Sequence, residues 1–346
     1  METKVWRVDP EAADLENDPQ IREAAQLLIR GEVVAFPTET VYGLGGNAKS
    51  REACRKIYEA KGRPSDNPLI VHVASVEQVR QICTEINPIA KKLMDMFWPG
   101  PLTLILPSRG ETSDALTAGL STISVRMPSH PVARALIRTS GLPIAAPSAN
   151  TSGHPSPTRA EHVLHDLSGR IAGVIDGGET GVGVESTVLD CTTTPPTILR
   201  PGGISWEQLT KAIGPVIDDP GLTRPDQTPK APGMKYKHYA PQATMYLVPK
   251  GKQRIRELIG NENNSGRIVG VLTTEENADA FPQAEVVITC GWRSRPETVA
   301  HQLFDVLRQF DKHRVDVIYS ETFPESGIGK AIMNRLSKAA AGRVIN

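Results

Sequence analysis

The chain has 346 residues, with 39 Lys or Arg balanced by 39 Asp or Glu, 39% apolar and 23% charged side chains. That is a globular composition with material for two domains, and no run approaches the roughly 18 consecutive apolar residues of a membrane-spanning helix. Zero formal net charge argues against a uniformly basic nucleic-acid surface, so any cations that matter must be concentrated locally.

In chain order, the acidic start METKVWRVDPEAADLEND lacks the apolar stretch of a secretory signal, and a cytoplasmic protein without a membrane partner is expected. Apolar residues at helical spacing predict helices over 20–30, 50–61, 87–97, 130–140, 158–170 and 205–213. Short β-branched runs predict strands at VVAFPTE (33–39), PLIVHVA (68–74), PLTLILP (101–107), STISVRM (121–127), PIAAPSA (143–149) and STVLDC (186–191). The strands at 101–107 and 121–127 need no crossover helix between them, so a mixed sheet with flanking helices fits best. From Pro215 to Pro241 six prolines fall in 27 positions, which predicts an extended linker. Beyond it, strands at 244–249, 267–273, 284–290 and 315–321 alternate with a stripe of Val299, Leu303, Val306, Leu307 and Phe310 and a helix over 328–340. This is the pattern of a smaller parallel α/β domain. The expected division is 1–214, a linker over 215–243, and 244–346.

Several motifs carry little. GLGGNA (43–48) has dinucleotide-fingerprint spacing but trails PTETVY rather than a tight strand end, so turn glycines are expected. GETGVG (178–183) has Val184 where a phosphate-binding loop needs lysine. His162 and His165 lack a ligand cluster and read as a solvated helix face. Cys54, Cys83, Cys191 and Cys290 are scattered and read as reduced structural thiols.

Other segments look chemical. In KGRPSDNPLIVHV (61–73), Lys61 and Arg63 end a helix before Pro64, where two cations could grip one polyanion; a solvated helix C-terminus is the bland alternative. Asn67 and His72 add a neutral donor and a titratable ring. PTETVYGL places Thr38, Glu39 and Thr40 at a strand end, and APSANTSGHPSPT offers Ser148, Asn150, Ser152 and Ser156, as readily turn formers as anion donors. Thr122 and Arg126 lie in STISVRMP; Ser186, Thr187 and Arg200 lie in STVLDC and ILRPGG. Such arginines in strands must find a partner or reach water. Cations and hydroxyls without a nucleophile triad, metal cage or reactive cysteine suit the positioning of anions, as in nucleotidyl or phosphoryl transfer.

The ordered run PTETVYGLGGNA, KGRPSDNPLIVHV, FWPGPLTLIL, SVRMPSHP, APSANTSG, VESTVLD and ILRPGG resembles the YrdC-like domain of threonylcarbamoyl-AMP synthases. The family's K-x-R and S-x-N signatures stand as Lys61-Gly62-Arg63 and Ser148-Ala149-Asn150. KYKHYAP (235–241) and the α/β tail resemble the long, two-domain form. The resemblance implies a YrdC-like twisted mixed sheet followed by a Rossmann-like parallel domain. It implies formation of threonylcarbamoyl-AMP and pyrophosphate from L-threonine, bicarbonate or CO2, and ATP with Mg2+. It also implies delivery of that product to a complex modifying the adenosine beside the anticodon of tRNAs reading A-starting codons, with weak tRNA contact as a further expectation.

Carried over residue by residue, the resemblance makes Lys61 and Arg63 catalytic. Arg63, Asn67, Thr122, Ser148, Asn150, Ser156, Arg200 and Tyr236 would bind ATP, and Thr40, His72, Arg126, Ala146 and Thr187 would bind L-threonine. The linker, rich in Lys, Tyr and His, would close over the cavity as a lid. Two rivals stay open at this level: a carbamoyl-transfer domain, which usually carries cysteine arrays missing here, and an RNA-binding module, weakened by 5% aromatic content.

Overall fold

The computed structural model describes residues 2–65, 67–110, 112–220 and 239–346. These divide into two compact units, one of residues up to 152, 156–181 and 185–220, the other of 153–155, 182–184 and 239–346. Most of the expected linker, 221–238 with Tyr236, and with it the expected lid, lies outside the described residues.

The first unit is a mixed sheet with helices. Its strands are β1 (Lys4–Arg7), β2 (Val34–Phe36), β3 (Gly43–Asn47), β4 (Ile70–His72), β5 (Leu102–Pro107), β6 (Thr122–Arg126), β7 (Ile144–Ala145), β8 (Gly173–Asp176), β9 (Thr187–Asp190), β10 (Thr197–Arg200) and β11 (Ile217–Asp218). Its helices are α1 (Pro19–Ile29), α2 (Arg51–Lys61), α3 (Val76–Ile82), α4 (Pro88–Phe97), α5 (Asp114–Thr117), α6 (Pro131–Ser140), α7 (Ala160–Leu167) and α8 (Trp206–Ile213). Local chemistry sets the helix starts. Asp18 accepts from the backbone of Gln20 and Ile21 just ahead of Pro19, Ser50 caps α2, and Ser205 with Gln208 closes a capping box on α8.

The strand order is β1-β8-β2-β3-β7-β4-β6-β5-β9-β10-β11. Parallel and antiparallel neighbours alternate irregularly: β4 runs parallel to β6, β6 antiparallel to β5, and β5 parallel to β9. Helix stripes such as Ile21, Ala24, Ala25 and Leu28 of α1 pack on it with Phe36, Leu136 and Ile144. This core fixes the sheet as the rigid floor on which the polar residues stand.

The glycine-rich GLGGN stretch corrects the expected turn: it is strand β3. A Cβ at Gly45 would stand 2.7 Å from the Phe36 ring and 2.9 Å from Ile144, so only glycine lets neighbouring side chains cross this strand. β1, β8 and β10 are further strands not anticipated, each four residues long. Within the expected linker, β11 pairs in parallel with β10.

The second unit contains β12 (Thr244–Val248), α9 (Lys252–Asn264), β13 (Val269–Thr273), β14 (Val286–Thr289), α10 (Pro296–Phe310), β15 (Val317–Glu321) and α11 (Gly329–Ala339). All strand pairs are parallel, in the order β12-β15-β13-β14, as expected of a Rossmann-like layer. α9 escaped notice because it buries only Ile255 and Ile259. Among the described residues no helix is long and apolar enough to cross a membrane.

Candidate active site

Sheet register gathers the polar residues. His72 of β4 lies opposite Arg126 of β6, Arg126 opposite Thr103 of β5, Thr103 opposite Val188 of β9, and Val188 opposite Arg200 of β10. Residues paired across regular strands stand side by side on one face, which sets His72, Arg126 and Thr103 together. The register shifts in β10 between Ile198 and Arg200, and Arg200 is tied to the row through Ser186 Oγ, which it meets and which lies against Thr103 Oγ1. His72, Arg126 and Arg200 are all buried.

Each guanidinium is held. Arg200 donates from Nε to the Ser186 carbonyl and from Nη2 to Ser186 Oγ, both at 3.0 Å, and Ser186 Oγ lies 2.7 Å from Thr103 Oγ1. Arg126 donates from Nη1 to Thr40 Oγ1 at 2.9 Å and faces Glu39 Oε1 at 2.7 Å. The turn after β2 presents both partners: Thr38 Oγ1 accepts from the amides of Thr40 and Val41 at 3.2 Å and donates to the Val41 carbonyl at 2.6 Å. Burial first, then the Arg126 charge, pulls the His72 pKa down to about 3, so the ring is neutral near pH 7.

Lys61 ends α2, where Gly62 takes the left-handed φ of +60° that lets the chain turn away. Its buried Nζ donates to the carbonyls of Ser148 at 2.5 Å and Asn150 at 2.7 Å, tying the K-x-R and S-x-N segments together. Arg63 Nη2 donates to the Asn67 carbonyl at 3.1 Å and its guanidinium lies 5.9 Å from the Tyr58 ring centre. The Asn67 side chain is fully buried, yet neither amide atom has a hydrogen-bond partner among the described residues. Buried polar atoms are rarely left so without a ligand or water to meet them. Ser156 Oγ donates to Glu185 Oε1 at 2.6 Å.

Thr122, Thr187 and Ala146, also expected at the site, lie outside this row. Thr122 opens β6, four residues or about 13 Å from Arg126. The Thr187 hydroxyl donates to the Ile204 carbonyl at 2.5 Å and accepts from the Ile204 amide at 3.0 Å, which engages it with backbone. Ala146, just past β7, contributes a backbone N–H to the Ile70 carbonyl. Thr103 was not singled out in the sequence; the signal for it was its place in an alternating strand, visible only with the register. Contrary to the solvated reading, His162 is buried and its Nδ1 accepts from the Thr158 amide at 3.3 Å, whereas His165 stays exposed beside Asp166.

A family profile described as "Telomere recombination" matches residues 26–202, and one described as "Threonylcarbamoyl-AMP synthase, C-terminal domain" matches 204–341. A Bacillus subtilis (strain 168) protein named threonylcarbamoyl-AMP synthase is 58% identical over 346 residues, covering 100% of both chains. The chain belongs to the threonylcarbamoyl-AMP synthase family. A Pyrococcus abyssi synthase is 48% identical over 331 residues, covering 94% of this chain and 95% of its own. The crystal structure of a Pyrococcus abyssi relative complexed with L-threonine superimposes with a TM-score of 0.93 at 46% identity, covering 99% of each chain.

Synthase-family membership in the two-domain form bears out the resemblance read from the ordered motifs. The mixed sheet plus parallel layer likewise agrees with the family fold. No group of three or more His, Cys, Asp or Glu among the described residues could hold a metal ion. Beside the cations, hydroxyls and amides gathered here stand two carboxylates, Glu39 facing Arg126 and the Ser129 amide and Glu185 accepting from Ser156, a set that does not fit a resident divalent cation. All four cysteines are buried free thiols, and burial pushes Cys54 up to about 11 and Cys83 and Cys191 up to about 12. They match the expected structural role and exclude a thiolate nucleophile near neutral pH.

Proposed function

We propose that this protein joins L-threonine, CO2 from bicarbonate, and ATP into L-threonylcarbamoyl-AMP, releasing pyrophosphate and, overall, water. The observation that carries this reading is the single row in which a neutral His72 lies beside Arg126, with Arg200 at the far end, in a chain similar along its full length to named synthases.

Arg126, with Thr40 and His72, holds the threonine end, the guanidinium facing the α-carboxylate. Ala146 and Thr187 complete that end. Arg63, Asn67, Thr122, Ser148, Asn150, Ser156, Arg200 and Tyr236 hold ATP, and Lys61 shares the phosphate charge. The threonine amine adds to CO2 and loses a proton to give a carbamate. A carbamate oxygen attacks the α-phosphorus while the bond to pyrophosphate breaks, so no covalent enzyme intermediate forms. Two anions must meet, and buried cations offset their repulsion where water cannot screen it. Mg2+ arrives as the counter-ion of the ATP phosphates. The product passes to a cytoplasmic transfer complex that modifies the adenosine beside the anticodon, with weak direct contact to tRNA.

Pyrophosphate release by the purified full-length chain tests this reading, with L-threonine and bicarbonate omitted in turn. Release should need both, and the product should carry the mass of threonylcarbamoyl-AMP. Release that needs neither, or no release under any condition, overturns it.

A further inference from the structure

Glu39 has no place in the set of substrate-binding residues above, yet its side chain is nearly buried, at 13% exposure, beside an Arg126 side chain at 4%. Its two carboxylate oxygens face different groups. Oε2 accepts from the Ser129 amide at 3.1 Å, and Oε1 lies 2.7 Å from Arg126 Nη2. The Oε1–Nη2 contact has charge proximity but not hydrogen-bond alignment: both atoms are buried and neither has a geometrically formed bond. Arg126 is otherwise fixed by Thr40 Oγ1 on Nη1 and by the Gly100 carbonyl, 3.4 Å from Nε. The guanidinium is therefore pinned on two sides and pressed against a carboxylate on the third.

We propose that Glu39 is a positioning residue for substrate-carboxylate recognition, locking the Arg126 plane in the orientation that meets the α-carboxylate of the amino acid. The inference rests on Arg126 holding that carboxylate. Glu39 is itself held by Ser129, so it acts as a fixed counter-charge rather than a mobile one. Reading Glu39 as a mere competitor for Arg126 predicts the opposite effect on substitution, because removing its charge would then strengthen carboxylate binding.

A carboxylate can accept from Ser129 and face Arg126 at once. A glutamine has one acceptor oxygen and a donor NH2, so Glu39→Gln must let go of one of them. Calorimetric binding of L-threonine, L-threoninol (which lacks the carboxylate) and ATP should be measured on the full chain, Glu39→Gln, Glu39→Asp and Arg126→Lys, with thermal melts confirming folding. Glu39→Gln should weaken L-threonine binding about tenfold, the size of one charged hydrogen bond, while ATP and L-threoninol stay within about twofold. Glu39→Asp, which keeps the charge but shortens the reach, should also weaken L-threonine, and it serves as the measurement if the glutamine variant does not fold. L-threonine binding unchanged or tighter in both Glu39 variants overturns the positioning role, provided Arg126→Lys weakens it. If Arg126→Lys also leaves it unchanged, the carboxylate assignment of Arg126 itself falls, and the positioning role with it.

Discussion

Lys61 Nζ donates to the main-chain carbonyl of Asn150 at 2.7 Å, across 89 residues of sequence. The bond joins the two signature segments of the family and leaves a buried ammonium among carbonyl oxygens. A cation so enclosed is held in place before any anionic substrate arrives, which is what electrostatic preorganisation requires.

Lys61→Ala should therefore do two things. It should lower pyrophosphate release, measured as kcat/KM, by about 2–4 kcal/mol, or roughly thirtyfold to a thousandfold. It should also lower the midpoint of a thermal melt, because the Ser148 and Asn150 carbonyls lose their donor. Near-normal turnover would remove Lys61 from the chemistry.

Ser186→Ala tests the other guanidinium. Ser186 Oγ accepts from Arg200 Nη2 and lies against Thr103 Oγ1. Its loss should release the Arg200 plane, raising KM for ATP several-fold while L-threonine affinity changes little. A larger effect on L-threonine than on ATP would mean that Arg200 faces the amino acid instead.

The buried His72 gives a pH signature. Its folded pKa lies at about 3 against an ordinary 6.5. Between those values the unfolded chain binds a proton that the folded chain does not, so stability rises with pH through this window and is complete above 6.5. The expected contribution is about 1.4 kcal/mol per pH unit. Urea unfolding from pH 6.5 down to 4.5 should show that slope lessened by a similar amount in His72→Gln. An identical slope in the variant would show that His72 is not held neutral.

Gly202→Ala should be severe although no side chain is removed. A Cβ there would lie 2.3 Å from the Glu185 carbonyl oxygen and 2.4 Å from the Thr187 nitrogen, and backbone atoms cannot step aside. We expect a loss of about 3 kcal/mol in a urea melt, at the upper end of overpacking costs. Because Arg200 lies two residues away, activity should fall further than stability alone explains. A loss under about 1 kcal/mol would mean the segment can shift.

Much of this protein is determined by residues close in sequence. The α1, α2, α4 and α6 stripes, the caps at Asp18, Ser50 and Ser205, and the strands at β5 and β6 follow from local period and local hydrogen bonding. So do the segments that carry cations and hydroxyls. Tertiary structure decided how those segments meet. Whether Thr187 points at a substrate or at Ile204, and whether Arg126 finds Glu39, depends on which strand lies beside which and in what register. A strand alternates its faces every residue, so a side chain's surroundings are set by partners tens of residues away, and no local pattern encodes them. The same holds for GLGGN, where glycine signals a turn when read alone, yet here makes room for Phe36 and Ile144 across a sheet that only the folded chain assembles.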